Sequence, residues 1–160
     1  MDHVDKIVEQ WRNQRPDIDT APMALIGRLQ RISMHLASGM SKNFAKYDLN
    51  GASFDVLATL RRSGAPYALS PGDLMASAMI TSGTMTNRID QLEKRGLVAR
   101  APNPEDGRGF LVSLTDGGFA LVDEVVTSHV GTQANLAKKL NDEERTALNV
   151  LLAKFLKGFE

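Results

Sequence analysis

Residues 81–95 carry the side chains best suited to contact another molecule. Met85, Ile89 and Leu92 recur at helical spacing, so they share one face of a predicted helix. Polar and charged side chains, Asp90 among them, occupy much of the rest of that helix, and the candidates for contact are Ser82, Thr84, Thr86, Asn87, Arg88, Gln91 and Lys94. Short polar side chains on a helix can form hydrogen bonds with base edges in the major groove of DNA. We therefore predict that this helix reads a DNA sequence.

A second, shorter helix is predicted immediately before it. Ser70 is placed to cap this helix and Pro71 occupies its first position, where a missing N–H costs nothing. A tight turn follows at residues 77–80, and the DNA-reading helix then runs from residue 81 or 82 until Gly96 ends it. The pattern predicts a helix-turn-helix.

Two β-compatible runs, Leu97–Arg100 and Phe110–Leu114, follow the second helix. The loop between them, residues 101–109, contains two prolines, which we expect to rule out regular pairing within it. Arg108 at the tip of this wing can reach an adjacent minor groove. With a helix capped by Asn50 and a third short strand at residues 67–69, the fold class is mainly α with a small β wing, a winged helix-turn-helix over residues 50–115.

Helices are also predicted on both sides of the winged part, within residues 1–48 and 116–160. Their apolar residues continue over several turns, and stripes of that length need a partner helix. We predict a single domain of 160 residues whose N- and C-terminal helices interlock in a two-fold homodimer. Such a dimer would present two DNA-reading helices about one turn of DNA apart, to match a palindrome.

Composition excludes several other classes of protein. The chain has 19 basic and 19 acidic residues, so no global positive charge indicates a polyanionic partner. It has no cysteine, which excludes disulfides, thiolate metal sites and thiol-based sensing. His3, His35 and His129 lack a partner at metal-ligand spacing, so we expect solvated or packed histidines and no metal or cofactor. Without a catalytic constellation, a signal peptide or a long apolar run, we expect a cytoplasmic protein that is not an enzyme.

Three motifs of the winged part carry a resemblance to a known family. The sequence resembles the MarR family of bacterial transcriptional regulators in its Leu97-Val98 after a glycine, its Asp106-Gly107-Arg108 and its Leu114-Thr115. The resemblance covers nearly the whole chain. It implies a homodimer that binds double-stranded DNA at a palindromic operator, usually as a repressor.

Three further residues each allow more than one interpretation. Arg88 lies about 60° from the apolar face of its helix, so it can contact phosphate or cover the helix surface. Asp55 is either a solvated acid in an early helical turn or an enclosed carboxylate that needs a cationic partner. Trp11, taken alone, is most simply a core anchor on a short helix.

A narrower resemblance, to the urate-responsive and PecS-like branch of the family, connects these residues. In that branch Trp11, Asp55 and Arg88 would line a pocket for urate, xanthine or a similar aromatic anion, with Ser63 as a fourth contact. The indole can stack on a flat heterocycle, Arg88 can pair with its anionic face, and Asp55 can hold Arg88 when the pocket is empty. Ligand binding would then shift the DNA-reading helix and release the operator.

Two alternatives remain open at this point. The chain can be a MarR regulator with a non-purine effector, or one that activates transcription. A winged helix can also serve as a protein-interaction module, which the zero net charge allows. Rising salt distinguishes these readings, because phosphate contacts release counterions and an apolar protein interface does so weakly.

Overall fold

The structure is a computed structural model that describes residues 1–79, 85–104 and 109–160. Backbone contacts divide the chain into two compact units, Met1–Gly39 and Met40–Glu160. The described helices and strands follow one another along the chain in this order: α1 (His3–Gln14), α2 (Ala21–Ala45), α3 (Gly51–Arg62), β1 (Ala68–Leu69), α4 (Pro71–Ser77), α5 (Met85–Lys94), β2 (Val98–Pro102), β3 (Phe110–Leu114), α6 (Asp116–Ala137) and α7 (Asp142–Leu156).

The helix boundaries confirm Asn50 and Ser70 as the capping residues of α3 and α4. Side-chain oxygens of Asn50, Ser70, Thr115 and Asn141 accept the hydrogen bond of a backbone N–H three residues later, at the starts of α3, α4, α6 and α7. Gly96, with a φ of 68°, follows the end of α5, a conformation that glycine adopts at little cost. The expected start of the DNA-reading helix, at residue 81 or 82, lies outside the described residues.

The first unit is a close pair formed by α1 and the first part of α2. Val4 and Val8 are buried, and a Cβ atom added at Gly27 would lie only 3.3 Å from Val4 Cγ1. Arg28 donates hydrogen bonds to both Asp2, at 2.8 Å, and Asp5. The two carboxylates that form the capping box of α1 therefore also pair with α2.

The wing is a three-stranded antiparallel sheet with the order β1-β3-β2. Ala68 pairs with Ser113, and Val98 pairs with Leu114. The pairing continues as far as Pro102 opposite Phe110, so the prediction that the proline-containing loop has no regular pairing is wrong at its first two residues. Because β2 is an edge strand, proline is tolerated there.

The core of the second unit is built from α3, α4, α5, α6 and the sheet. Leucine, valine and isoleucine side chains from all of them are almost completely buried: Val56, Leu57, Leu60, Leu74, Ile89, Leu92, Val98, Val112, Val122 and Val125. A Cβ atom at Gly118 would lie 1.9 Å from the carbonyl oxygen of Leu97, so only glycine allows α6 to approach the start of the wing this closely. This core fixes α5 relative to the wing.

Helix α7 contributes nothing to that core. None of its fifteen residues, all of which the structure describes, is buried. Its apolar side chains, continued by Phe159 just beyond the helix, are instead exposed: Leu148, Val150, Leu151, Leu152, Phe155 and Leu156. An exposed apolar face of this extent marks a site of association.

Candidate DNA interface and effector site

Helix α5 separates its apolar and polar residues as the sequence predicted. Met85, Ile89 and Leu92 are buried in the core. Arg88 is partly buried at the border of that face. The other described candidates for DNA contact are all exposed, namely Thr86, Asn87, Gln91 and Lys94. Ser82, Thr84 and Arg108, which complete the predicted set, lie outside the described residues, and the contact of this set with DNA stays a prediction.

Arg100 of β2 connects the wing to α5. Its guanidinium donates hydrogen bonds to Asp90 and Glu93, and its backbone N–H donates to Glu93 Oε1 at 3.2 Å. The guanidinium also lies over the ring of Phe110, 5.2 Å from its centre. The pKa of Arg100 is raised, first by the hydrogen bond with Asp90. One cation thus offsets part of the negative charge of two carboxylates on the helix predicted to approach phosphate.

The pairing of Asp90 with Arg100 was not predicted from the sequence. Arg100 lies ten residues further along the chain, on a different element, and no helical spacing relates the two. The sequence contains one indication of this pair: Arg100 lies in the strand that follows α5, and Asp90 lies on the polar side of α5.

Asp55 is enclosed. It is only 7% exposed on α3, so the alternative of a solvated acid is wrong. The cation that such a carboxylate needs is present in Arg62, whose Nη1 lies 4.0 Å from Asp55 Oδ1. A separation of seven residues places both side chains on one face of the helix, so the spacing identifies Arg62 as a partner once Asp55 is known to be enclosed.

The other candidate effector residues lie in three places. Ser63 follows the last turn of α3, is exposed, and donates its hydroxyl hydrogen to the carbonyl of Leu60 at 2.7 Å. Arg88 belongs to α5, also in the second unit. Trp11 lies on α1 in the first unit and is 44% exposed, so it is not the core anchor that it could have been. The assembly of these residues with Asp55 into one pocket stays a prediction.

The histidines take the two roles expected of them. His3 and His35 are exposed. His129 packs against both Phe44 and Phe54, with ring centres 4.9 and 5.0 Å away, and its Nδ1 has no hydrogen-bond partner among the described residues. Burial lowers the pKa of His129. The described part of the chain contains no cluster of metal-ligating side chains and no helix suited to cross a membrane.

The fold and the exposed polar face of α5 define a winged-helix DNA-binding protein. The model of the MarR family matches residues 47–109. The chain is 45% identical over 151 residues to the HTH-type transcriptional regulator PecS of Dickeya dadantii (strain 3937), covering 94% of this chain and 91% of that protein. The chain therefore belongs to the MarR family.

Two solved structures support the same assignment. A mutant of MarR from Escherichia coli in complex with operator DNA is 28% identical and has a TM-score of 0.74, covering 88% of this chain and 99% of that one. BpsR of Bordetella bronchiseptica, whose DNA binding is regulated by 6-hydroxynicotinic acid, is 32% identical with a TM-score of 0.72, covering 81% and 90%.

The chain is thus a transcriptional regulator that binds DNA, not an enzyme. The resemblance to the PecS-like branch is confirmed by the 45% identity to PecS itself. Membership of this family favours DNA over a protein partner, so the alternative of an interaction module has no separate support.

Proposed function

We propose that the chain binds a palindromic operator as a homodimer, acts as a repressor, and is released by a small aromatic anion such as urate or xanthine. The observation that carries this proposal is the identity to PecS over most of both chains. The operator complex of MarR supports the mode of DNA binding.

The homodimer is supported by the exposed apolar face of α7. Leu151 is 64% exposed and Phe159 is 76% exposed, and the exposure of such apolar side chains to water is unfavourable in free energy. The first unit exposes further apolar residues on α2, among them Leu25, Ile32 and Met34. A second copy would bury both sets and would match the symmetry of a palindromic operator.

Contact with DNA is proposed for the exposed side of α5 and for the tip of the wing. Asn87 and Gln91 suit base edges, while Lys94 suits a phosphate. Arg108 would enter the neighbouring minor groove. Since the chain has no net charge, the pairing of Arg100 with Asp90 and Glu93 is needed to limit repulsion between α5 and the phosphates.

The effector proposal rests on the chemistry of four side chains. Trp11 supplies a flat ring for stacking, Arg88 a cation, and Ser63 a hydroxyl group. Asp55 is already held in an enclosed, cation-paired environment, which an anion from solution can disturb by competing for the cation. A second class of effector, the hydroxylated pyridine carboxylates, is favoured by the similarity to BpsR.

Fluorescence anisotropy tests this proposal directly. A labelled DNA from upstream of the protein's own gene is titrated at fixed salt without effector, with urate and with 6-hydroxynicotinate. We expect tight, salt-sensitive binding that one of the two anions weakens. The Asp55→Asn variant should still bind this DNA, several-fold more weakly, and should show an altered response to the anion. Binding that neither anion changes would refute the effector, and no binding in low salt would refute the operator.

A further inference from the structure

Arg62 connects the enclosed carboxylate of α3 to the helix-turn-helix. Its Nη1 lies 4.0 Å from Asp55 Oδ1, and its Nη2 donates a hydrogen bond to the carbonyl oxygen of Ser77. The side chain of Asp55 is 10% exposed, whereas that of Arg62 is 47% exposed. One guanidinium thus has a buried partner on one side, a backbone partner on the other, and access to solvent.

The backbone partner is the last residue of the first helix of the helix-turn-helix. Helix α4 ends at Ser77, and Ala78 after it is extended, with a ψ of 145°. The last carbonyl groups of a helix lack partners within the helix, and they carry partial negative charge. A cation bound to the Ser77 carbonyl therefore stabilises the point at which the chain leaves α4 toward α5.

The buried partner holds that cation in place. Asp55 and Arg62 are seven residues apart and lie on one face of α3. An enclosed carboxylate is costly without a cation, so the pair restricts the orientations that the guanidinium can adopt. In the observed orientation the guanidinium also donates its hydrogen bond to the Ser77 carbonyl.

We propose that Arg62 is a positioning residue that couples the charge at Asp55 to the helix-turn-helix. The part of this proposal that concerns an effector rests on the proposed function: a small aromatic anion that competes with Asp55 for Arg62 would weaken the hydrogen bond from Arg62 to Ser77. Operator affinity then falls only by the ratio of the anion's affinities for the two arrangements. Couplings of this kind amount to about 5- to 150-fold in affinity.

A double-mutant cycle tests the coupling without any effector. Operator affinity is measured for Asp55→Asn, for Arg62→Gln and for the double variant. If the two side chains act as one unit, each single variant binds several-fold more weakly and the double variant lies within about twofold of the weaker single one. Multiplicative losses in the double variant would overturn the proposal. Because Arg62→Gln can destabilise the fold, Arg62→Lys is measured in parallel, with a thermal melt of every variant.

The neighbouring Arg61 provides a matched control. It also lies in the last turn of α3, but it donates a hydrogen bond to Asp123 at 2.7 Å and lies 4.4 Å from the centre of the Phe119 ring. Arg61→Gln removes the same charge and an ion pair of α6. It should change the melting temperature without changing the affinity for operator.

Hydrogen exchange at Ala78 separates positioning from general stability. The N–H of Ala78 donates to the carbonyl of Leu74 at 3.0 Å. We expect its exchange to accelerate in Asp55→Asn and Arg62→Gln and to stay unchanged in Arg61→Gln. Equal exchange in all three variants would contradict the role of Arg62.

The effect of an effector on the Arg62→Gln variant is measured last, with urate as the probe. Trp11 is the only tryptophan of the chain, so quenching of its fluorescence reports urate binding apart from DNA release. In Arg62→Gln we expect urate to bind with little further release of DNA. Release equal to that of the unmodified protein would overturn the proposed competition for Arg62. A protein that does not respond to urate would refute the proposed effector, while the double-mutant cycle would still decide the role of Arg62.

Discussion

The winged part and helix α7 have similar patterns of apolar residues, but these residues are buried in the winged part and exposed on α7. Leu57, Leu60 and Leu74 of the winged part are fully buried by neighbouring elements of the same chain. Helix α7 repeats leucine, valine and phenylalanine at helical spacing, yet Leu148 and Leu152, at 41% and 40%, are among its less exposed apolar residues. The apolar pattern of a helix thus determines which of its faces is suited to burial. The rest of the chain determines whether elements of the same chain bury that face.

The difference separates two sources of stability. The winged part folds around its own core, so its stability should not depend on protein concentration. The proposed dimer would bury the face of α7, so the contribution of this face should follow mass action.

The largest effect is expected from Leu151→Glu in α7. A charge in the proposed interface should favour the monomer and lower operator affinity by about 100-fold or more, because two linked half-sites would then bind separately. Sedimentation and anisotropy measure the two changes. Lys46→Gln alters the net charge by the same amount outside α7 and should leave both unchanged. A Leu151→Glu protein that stays dimeric would place the interface elsewhere.

Leu57→Ala should affect the other region. Removing a fully buried leucine leaves a cavity and should lower the free energy of unfolding by about 2–5 kcal/mol. Urea denaturation at two protein concentrations measures it. We expect the loss to be equal at both, whereas Leu151→Ala should show a loss that grows with concentration. The same concentration dependence for both variants would remove the distinction.

Arg100→Gln tests whether the closed core alone fixes the DNA-reading helix. The substitution leaves Asp90 and Glu93 without their cation near the proposed DNA surface, so operator affinity should fall about tenfold, which is about 1.4 kcal/mol. Adding Asp90→Asn and Glu93→Gln should restore much of the affinity. If the triple variant binds no better than Arg100→Gln, Arg100 acts through packing on Phe110 and not through charge.

The smallest effect concerns His129 inside the second unit. Its pKa is lowered by burial, so the folded state binds fewer protons than the unfolded state just below the ordinary pKa of 6.5. Stability should therefore fall as pH decreases from about 6.5, and the fall should end below the lowered pKa. His129→Phe should remove this part of the pH dependence in thermal melts. The lowered pKa values of Asp2 and Asp5 act only in more acidic solution.

Local features of the fold were predictable because they depend on neighbouring residues. Asn50 and Ser70 identified helix starts through hydrogen bonds three residues away, and the apolar spacing of α5 identified its buried face. Pro102 was misjudged because its tolerance depends on which strand lies at the sheet edge. That order is set by the whole fold.

The candidate site was less predictable because its charges pair between elements. The partner of Asp90 is on a strand, and the second contact of Arg62 is a backbone carbonyl at the end of another helix. Neither pairing follows from a periodicity. The seven-residue spacing of Asp55 and Arg62 was the one local signal, and it applies only once Asp55 is known to be enclosed.

We propose that a second copy of this chain covers the apolar face of α7 and that the resulting dimer is the form that binds DNA. Sedimentation velocity on the protein mixed with labelled DNA from upstream of its own gene, at two salt concentrations, tests it most directly. We predict a free species of twice the 17.5 kDa chain mass, two chains per DNA site, and a complex that weakens with salt. A monomer at micromolar concentration that binds DNA as a single chain would contradict the claim.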